Sequence, residues 1–281
     1  MKYFIPEWDD QVDPGYNFRE DSYSRNHLVA RRKDVYMWEI FELDDVPFDG
    51  VLVSLMSICG NGRKEREIQS VGGLHEYFRL PKRFSILADC GAWGYIKAEE
   101  KGPPFDAVEV LDIYRKLGVQ EAVTVDHLVV PSFKSGTKTI VVNTEQRMRI
   151  TYENGLKGYE AWKKNFRHDF NLLVSVQGLR LEDYLHMYRA YLKHGITSFA
   201  FGGLARKPTK FIARIIEELI NNAKRPNSQA ERIHFFIYGK FANISWFKER
   251  TKSNLFFHII SKLGLCLSKV CLLYTSPSPR D

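Results

Sequence analysis

The chain has 281 residues, of which 44% are hydrophobic and 14% are aromatic. These fractions supply enough apolar side chains for a packed core and exclude global disorder. The formal net charge of +7 suits a polyanionic partner such as DNA or RNA, although charge alone does not establish one. Four scattered cysteines without metal-ligand spacing indicate reduced thiols in a cytoplasmic protein and argue against a disulfide framework.

No targeting or membrane segment is predicted. The first residues lead directly into an acidic stretch that begins at Glu7, which argues against a secretory signal peptide. The apolar segment 255–273 is interrupted by His258, Lys262 and Lys269, so we expect no membrane span there.

Short β-rich runs alternate with longer runs of helical period, which predicts βα units around a parallel sheet. The predicted strands cover residues 51–56, 85–88, 122–125, 172–176, 198–201 and 233–236. The predicted helices cover residues 107–117, 144–164, 181–194 and 210–223. Asn143 is a good N-cap for the second of these helices, and Gly118 stops the first.

This alternation fits either an open doubly wound sheet or a (β/α)8 barrel. No glycine-rich nucleotide-binding motif follows the first predicted strand, which favours the barrel. A complete barrel has eight strands, whereas about six are recognisable in the sequence. We therefore predict the α/β class and an incomplete (β/α)8 TIM barrel, with the missing strands lost near the carboxyl end.

The last residues differ in character from the rest of the chain. Residues 271–281 resemble a reading-frame translation of a transposase-based sequencing adapter, and such segments are excluded from fold reasoning. A disordered tail rich in serine and proline is the alternative. We therefore expect a truncated barrel domain over residues 1–270, an artefactual tail over residues 271–281, and a natural protein longer than this chain.

Two carboxylates follow apolar runs at positions where a barrel builds its active site. Asp89 follows residues 84–88, and Asp126 follows residues 122–125. A partly buried carboxyl group can transfer protons, and an ionised one accepts the N–H donors of a guanine-like edge. Alternatively, Asp89 caps the turn that follows it. We expect His127 to be structural, because adjacent strand residues point to opposite faces.

Further polar, glycine and aromatic residues lie at predicted strand ends. Gln177 offers a donor and an acceptor to a purine, or else orders a loop. Gly202 and Gly203 allow the backbone to approach a ligand closely. Trp93 and Tyr95 either line a base pocket or pack in the core or rim.

These segments resemble, in order and spacing, the strand ends that hold the base in the tRNA-guanine transglycosylase superfamily. The resemblance covers roughly residues 1–245. It implies that Asp89 is the catalytic acid/base and also contacts the base. It further implies substrate contacts from Asp126, Gln177, Gly202, Gly203 and Leu204.

The opening residues 2–14 are similar to one branch, the DNA-guanine transglycosylases of 7-deazaguanine DNA-modification systems. That branch implies a pentosyltransferase that replaces guanine in DNA with a 7-deazaguanine derivative through a covalent glycosyl-enzyme, without a cofactor. The implied partners are DNA or tRNA, the 7-deazaguanine base and other DNA-modification proteins. The alternatives are a tRNA-guanine transglycosylase and a non-catalytic subunit that binds a base or nucleic acid.

The chain departs from the family pattern in two respects. It has no aspartate between Asp183 and Asp281, where the family nucleophile is expected. It also lacks the Cys/His cluster with which tRNA-acting relatives bind structural zinc, a region expected beyond the end of this chain. We therefore expect no metal site in this chain and no catalysis by it.

Overall fold

Eight parallel strands close into a barrel in the computed structural model of the chain. Around the barrel they are β1 (Lys2–Ile5), β4 (Gly50–Ser54), β5 (Ser85–Asp89), β6 (Glu121–Val123), β9 (Asn171–Val176), β10 (Ser198–Phe201), β11 (Arg232–Phe236) and β12 (Phe256–Ile260). Strand β1 pairs with both β4 and β12, and these two pairings complete the ring.

The structure describes residues 2–6, 11–17, 19–23, 35–40, 48–59, 62–97, 102–205, 207–223, 232–236 and 256–260. The predicted tail at 271–281 lies outside these ranges. Two small antiparallel sheets accompany the barrel, formed by β2 (Gln11–Val12) with β3 (Val35–Tyr36), and by β7 (Ser132–Ser135) with β8 (Lys138–Val141).

The helices of the described ranges connect these strands. They are α1 (Met37–Ile40), α2 (Leu55–Cys59), α3 (Gly62–Ser70), α4 (Leu74–Tyr77), α5 (Glu109–Leu117), α6 (Thr144–Asn165), α7 (Leu181–Lys193) and α8 (Thr209–Ala223). The Asn143 side chain accepts a hydrogen bond from the Gln146 N–H, and Gly118 ends α5 in the left-handed conformation at φ 72°. None of these helices is long and apolar enough to cross a membrane.

The predicted barrel class and all six predicted strands are confirmed, but the strand count needs correction. The sheet contains two further strands, β1 and β12, so eight strands close where about six were expected. Both additions escaped the sequence analysis for a physical reason. The four-residue strand β1 is too short to display a period, and β12 lies in the apolar segment 255–273, where a continuous apolar run does not distinguish a strand from a buried helix.

Alternation along the strands separates the barrel interior from the layer beneath the helices. One buried side chain from each of six strands forms the interior layer: Phe4, Leu52, Leu87, Val123, Leu173 and Ala200. The strand neighbours Ile86 and Ala88 belong instead to the outer core. Because side chains alternate with a period of two, the next interior-facing positions are Ser54, Asp89 and Ser175. The interior above the apolar layer is therefore polar at the carboxyl ends of the strands.

Candidate active site

Asp89 is the last residue of β5 and faces the barrel interior beside Ser54 of the neighbouring strand. Its Oδ1 accepts a hydrogen bond of 3.0 Å from the Gly91 N–H, and the Ser54 hydroxyl also bonds to the carboxyl group. Burial, and then the negative charge of Asp126, raise the pKa of Asp89 to about 7. A carboxyl group with a pKa near neutrality can both donate and accept a proton at physiological pH.

Asp126 lies three residues beyond β6 and is 7% exposed. Three neutral donors hold its carboxylate. Cys90 Sγ donates to Oδ1 at 3.1 Å, while Ser175 Oγ and Gln177 Nε2 both donate to Oδ2 at 2.6 Å. An ionised carboxylate has about four acceptor positions, so this arrangement fixes the group and leaves acceptor capacity on Oδ1.

A buried pair, Cys90 and Tyr95, supports Asp126. The Tyr95 hydroxyl donates to the Asp126 backbone carbonyl at 2.5 Å and lies 2.9 Å from Cys90 Sγ. Burial raises the pKa of both side chains well above the usual range, so both stay protonated and available as donors. Cys90 therefore holds the Asp126 carboxylate, and Tyr95 holds the backbone of the same residue.

Gln177 follows β9 and is 2% exposed. Because its Nε2 donates to Asp126, the amide orientation is fixed with Oε1 turned away from that carboxylate. Within the described part of the chain, Oε1 is buried without a hydrogen-bond partner. A buried acceptor left unpaired is costly, so this atom marks a position where a ligand donor would be favourable.

The glycines after β10 leave space around that amide. A Cβ atom at Gly202 would lie 2.2 Å from Gln177 Nε2, and one at Gly203 would lie 2.8 Å from Oε1. Gly203 also has φ +70°, which glycine adopts most readily. The next residue, Leu204, is fully buried. These residues keep the backbone close to Gln177 without covering it with a side chain.

The structure brings together most of the predicted site residues, but it separates the two aromatic candidates. Tyr95 lies beneath Asp126 as part of its support, whereas Trp93 is 59% exposed on the loop after β5. His127 is buried, with its ring packed edge-on against Tyr95 at 5.8 Å. These positions indicate a supporting role for Tyr95 and His127.

Four residues in or beside the site were not singled out from the sequence: Ser54, Cys90, Ser175 and Arg147. Ser175 was recognisable in principle, since it lies two residues before Gln177 on the same strand face. Arg147 of α6 is 3% exposed and donates to the Leu128 and Ile96 carbonyls at 2.9 and 2.7 Å. Because it lies on a helix, no local pattern connects it with the two loops that it joins.

The residues at this rim can transfer protons. They can also bind a ligand whose polar edge carries several hydrogen-bond donors. In the described ranges, no group of three or more His, Cys, Asp or Glu side chains is placed to hold a metal ion. Two carboxyl groups and an amide oxygen present acceptors, and the adjacent backbone leaves room for a flat ligand.

No protein-family model matches the chain. A DNA-guanine transglycosylase from Salmonella montevideo is 27% identical to it over 229 residues, which make up 78% of this chain and 53% of that relative. The chain therefore spans about half the length of the curated relative that it matches. This similarity supports the resemblance of the chain to the guanine transglycosylase superfamily.

Proposed function

We propose that this rim is the base site of a guanine transglycosylase. The observation that carries the proposal is the juxtaposition of Asp89, Asp126 and Gln177, with a buried Gln177 Oε1 that lacks a donor. The glycosyltransferase function rests on this geometry together with the similarity to a named DNA-guanine transglycosylase.

The acceptor-rich rim suits guanine and its 7-deaza analogues. The N1–H and 2-amino groups of these bases are donors, and carboxylate and amide oxygens accept from them. Adenine presents an acceptor at N1 and would leave the buried acceptors unpaired, which disfavours its binding. Gly202, Gly203 and Leu204 would supply main-chain contacts to the base.

In the proposed reaction, an aspartate attacks the anomeric carbon, a C–O bond forms, and the bond from that carbon to N9 of guanine breaks. Asp89 donates a proton to the departing guanine. It then takes the N9 proton of the incoming 7-deazaguanine, which attacks the same carbon and releases the carboxylate. Such double displacement retains the configuration at the sugar, as in retaining glycosidases.

The attacking aspartate is the part of this scheme that the chain does not supply. No aspartate occurs between Asp183 and Asp281, so we expect the 281-residue chain to bind the base without exchanging it. A base-binding subunit without catalysis is therefore the second candidate, and this observation favours it.

DNA is the proposed acceptor, by similarity to the relative, and tRNA is the alternative. We further propose a 7-deazaguanine derivative as the incoming base, a cytoplasmic location, and action together with other DNA-modification proteins. Residues 1–270 are proposed as the barrel domain and 271–281 as an adapter-derived tail.

The test combines base exchange with base binding by the full chain. Labelled guanine is incubated with the protein and either duplex DNA or tRNA, and thermal unfolding is followed with 7-deazaguanine or adenine. We expect no labelled nucleic acid, and stabilisation by 7-deazaguanine but not by adenine. Exchange by the chain would contradict the missing nucleophile, and a lack of selective stabilisation would contradict the base site.

A further inference from the structure

We propose that the β7–β8 hairpin is a nucleic-acid contact surface that holds backbone phosphates beside the base site. The hairpin belongs to the connection between β6 and α6 that also carries Asp126, so it rises from the same rim. This inference rests on the proposed nucleic-acid substrate and adds the element that contacts it.

The strand register divides the side chains of the hairpin between two faces, and one of these faces is exposed. Ser132 pairs with Val141 and Lys134 with Thr139, and all four side chains are exposed. The alternate positions, Phe133 and Ile140, also pair with each other but are only partly exposed. The outward face therefore carries three polar side chains and the apolar side chain of Val141, which is 78% exposed.

The charge of this segment is of one sign. Lys134 lies on the outward face, and Lys138 lies at the tip of the hairpin, where it pairs with Ser135. Both lysines are exposed, and residues 127–144 contain no acidic side chain. Phosphate oxygens are the acceptors that such a surface suits, since lysines, hydroxyl groups and backbone amides make most contacts to a nucleic-acid backbone. The partner that fits this surface best is therefore a nucleic acid, which presents phosphate groups. A protein partner, acidic or apolar, does not present them.

The hairpin is mounted rigidly on the residues that position the site. The Val142 N–H donates to the Pro131 carbonyl at 3.1 Å and closes the base of the hairpin. The buried Arg147 lies 5.9 Å from the centre of the Phe133 ring, and it also bonds to the carbonyls of Leu128 and Ile96. One side chain thus joins the hairpin to the loops that follow both carboxylates.

Trp93 adds a stacking surface to the same rim. It lies on the loop that Arg147 joins to the hairpin, and its side chain is 59% exposed. An exposed aromatic ring can stack on an unpaired base of a bound nucleic acid. We assign Trp93 to the nucleotides that flank the target, not to the base pocket.

The experiment measures DNA binding by fluorescence anisotropy across a series of salt concentrations, using the full chain and a labelled duplex of mixed sequence. The test variant is Lys134→Gln with Lys138→Gln. The matched control is Lys163→Gln with Lys164→Gln, which removes the same charge from two exposed lysines at the opposite end of α6. Titration with 7-deazaguanine reports the base site separately.

The hairpin variant should bind DNA about tenfold more weakly or worse at 0.1 M salt. The slope of log K against log salt should fall by about 1.8 in magnitude, because each lost phosphate contact removes about 0.9. The control should keep the wild-type slope. Trp93→Ala should weaken binding to single-stranded DNA by about fivefold or more without changing the slope, because stacking releases no counterions.

Equal slopes for the wild type and the hairpin variant would overturn the proposal, as would wild-type protein that binds 7-deazaguanine but no DNA. Hairpin-dependent DNA binding without base binding would support the hairpin and overturn the proposed base site. The two proposals therefore fail separately.

Discussion

At the scale of single residues, the two carboxyl groups of the site differ in their surroundings. Three neutral donors hold the Asp126 side chain, whereas burial and the neighbouring charge raise the pKa of Asp89 to about 7. Neighbouring carboxyl groups in different environments can therefore divide the work, one transferring protons and the other accepting hydrogen bonds.

Replacing Asp89 with asparagine should remove a pH dependence of stability. In wild-type protein Asp89 stays protonated up to about pH 7, whereas the unfolded chain loses that proton near the ordinary aspartate pKa of 3.8. Stability should therefore fall as pH rises between these values, by at most about 1.4 kcal/mol per pH unit. Because part of the side chain reaches solvent, the measured slope should be smaller.

Urea unfolding of the wild type and Asp89→Asn at pH 5, 6, 7 and 8 measures this effect. The stability of the variant relative to the wild type should increase up to about pH 7 and then stay constant. Asp106→Asn is the control. A salt bridge to Lys157 lowers the pKa of Asp106 to about 2. That variant should therefore differ from the wild type by a constant amount from pH 5 to pH 8, because the contribution of Asp106 changes only at more acidic pH. Parallel curves for the wild type and Asp89→Asn would be evidence against the raised pKa.

At the scale of elements, helix α6 determines how closely the outer layer approaches the barrel. A Cβ atom at Gly155 would lie 2.2 Å from the Tyr191 hydroxyl and 2.9 Å from Val174 Cγ1. Glycine at this position therefore permits the close contact of α6 with β9 and α7. The same helix carries Arg147, so its placement also affects the loops of the site.

Gly155→Ala should destabilise the protein by about 1–3 kcal/mol, because the added methyl group overpacks this contact. This cost should outweigh the gain of up to about 1 kcal/mol from the higher helix propensity of alanine. Gly62→Ala on α3 is the matched control, since among the described residues its Cβ atom would meet only Arg66 Nη1, at 3.5 Å. Urea denaturation at pH 7 measures both variants, and a Gly155→Ala protein as stable as the wild type would refute the packing argument.

Elements with a strong local signal could be predicted, and elements whose structure depends on distant partners could not. The helix at Thr144–Asn165 has a capping residue and a long period, and its predicted start is confirmed. The hairpin of β7 and β8 shows alternation over only four residues per strand, too short to recognise. At the site, the strand-end positions of Asp89 and Gln177 could be predicted, whereas the hydrogen bonds of Cys90 and Arg147 depend on tertiary packing.

At the scale of the whole molecule, barrel closure depends on segments from both halves of the chain. Strand β12 pairs with β11 on one side and with β1 on the other, with His258 in register with His234 and Lys2. Closure removes the exposed sheet edges that an open sheet would present. We therefore expect the full chain to unfold cooperatively.

His258→Pro should disrupt this closure, because proline lacks the backbone donor that a central strand uses. We expect a lower urea midpoint and increased light scattering from the exposed sheet edges. His258→Ala retains the backbone N–H and serves as the control for loss of the side chain. If the proline and alanine variants unfold identically, the pairing of β12 does not support the barrel.

The central claim is that Asp126 and Gln177 bind a guanine-type base at the barrel rim, and calorimetric titration tests it most directly. Wild type, Gly202→Ala and Gly62→Ala are titrated with 7-deazaguanine and with adenine. The Cβ atom at residue 202 would lie 2.2 Å from Gln177 Nε2 and displace the amide. We predict that 7-deazaguanine binds the wild type and Gly62→Ala equally, and binds Gly202→Ala at least about tenfold more weakly. Adenine should bind the wild type at least about tenfold more weakly than 7-deazaguanine. Equal affinity for the two bases, or unchanged binding by Gly202→Ala, would contradict the assignment of this site.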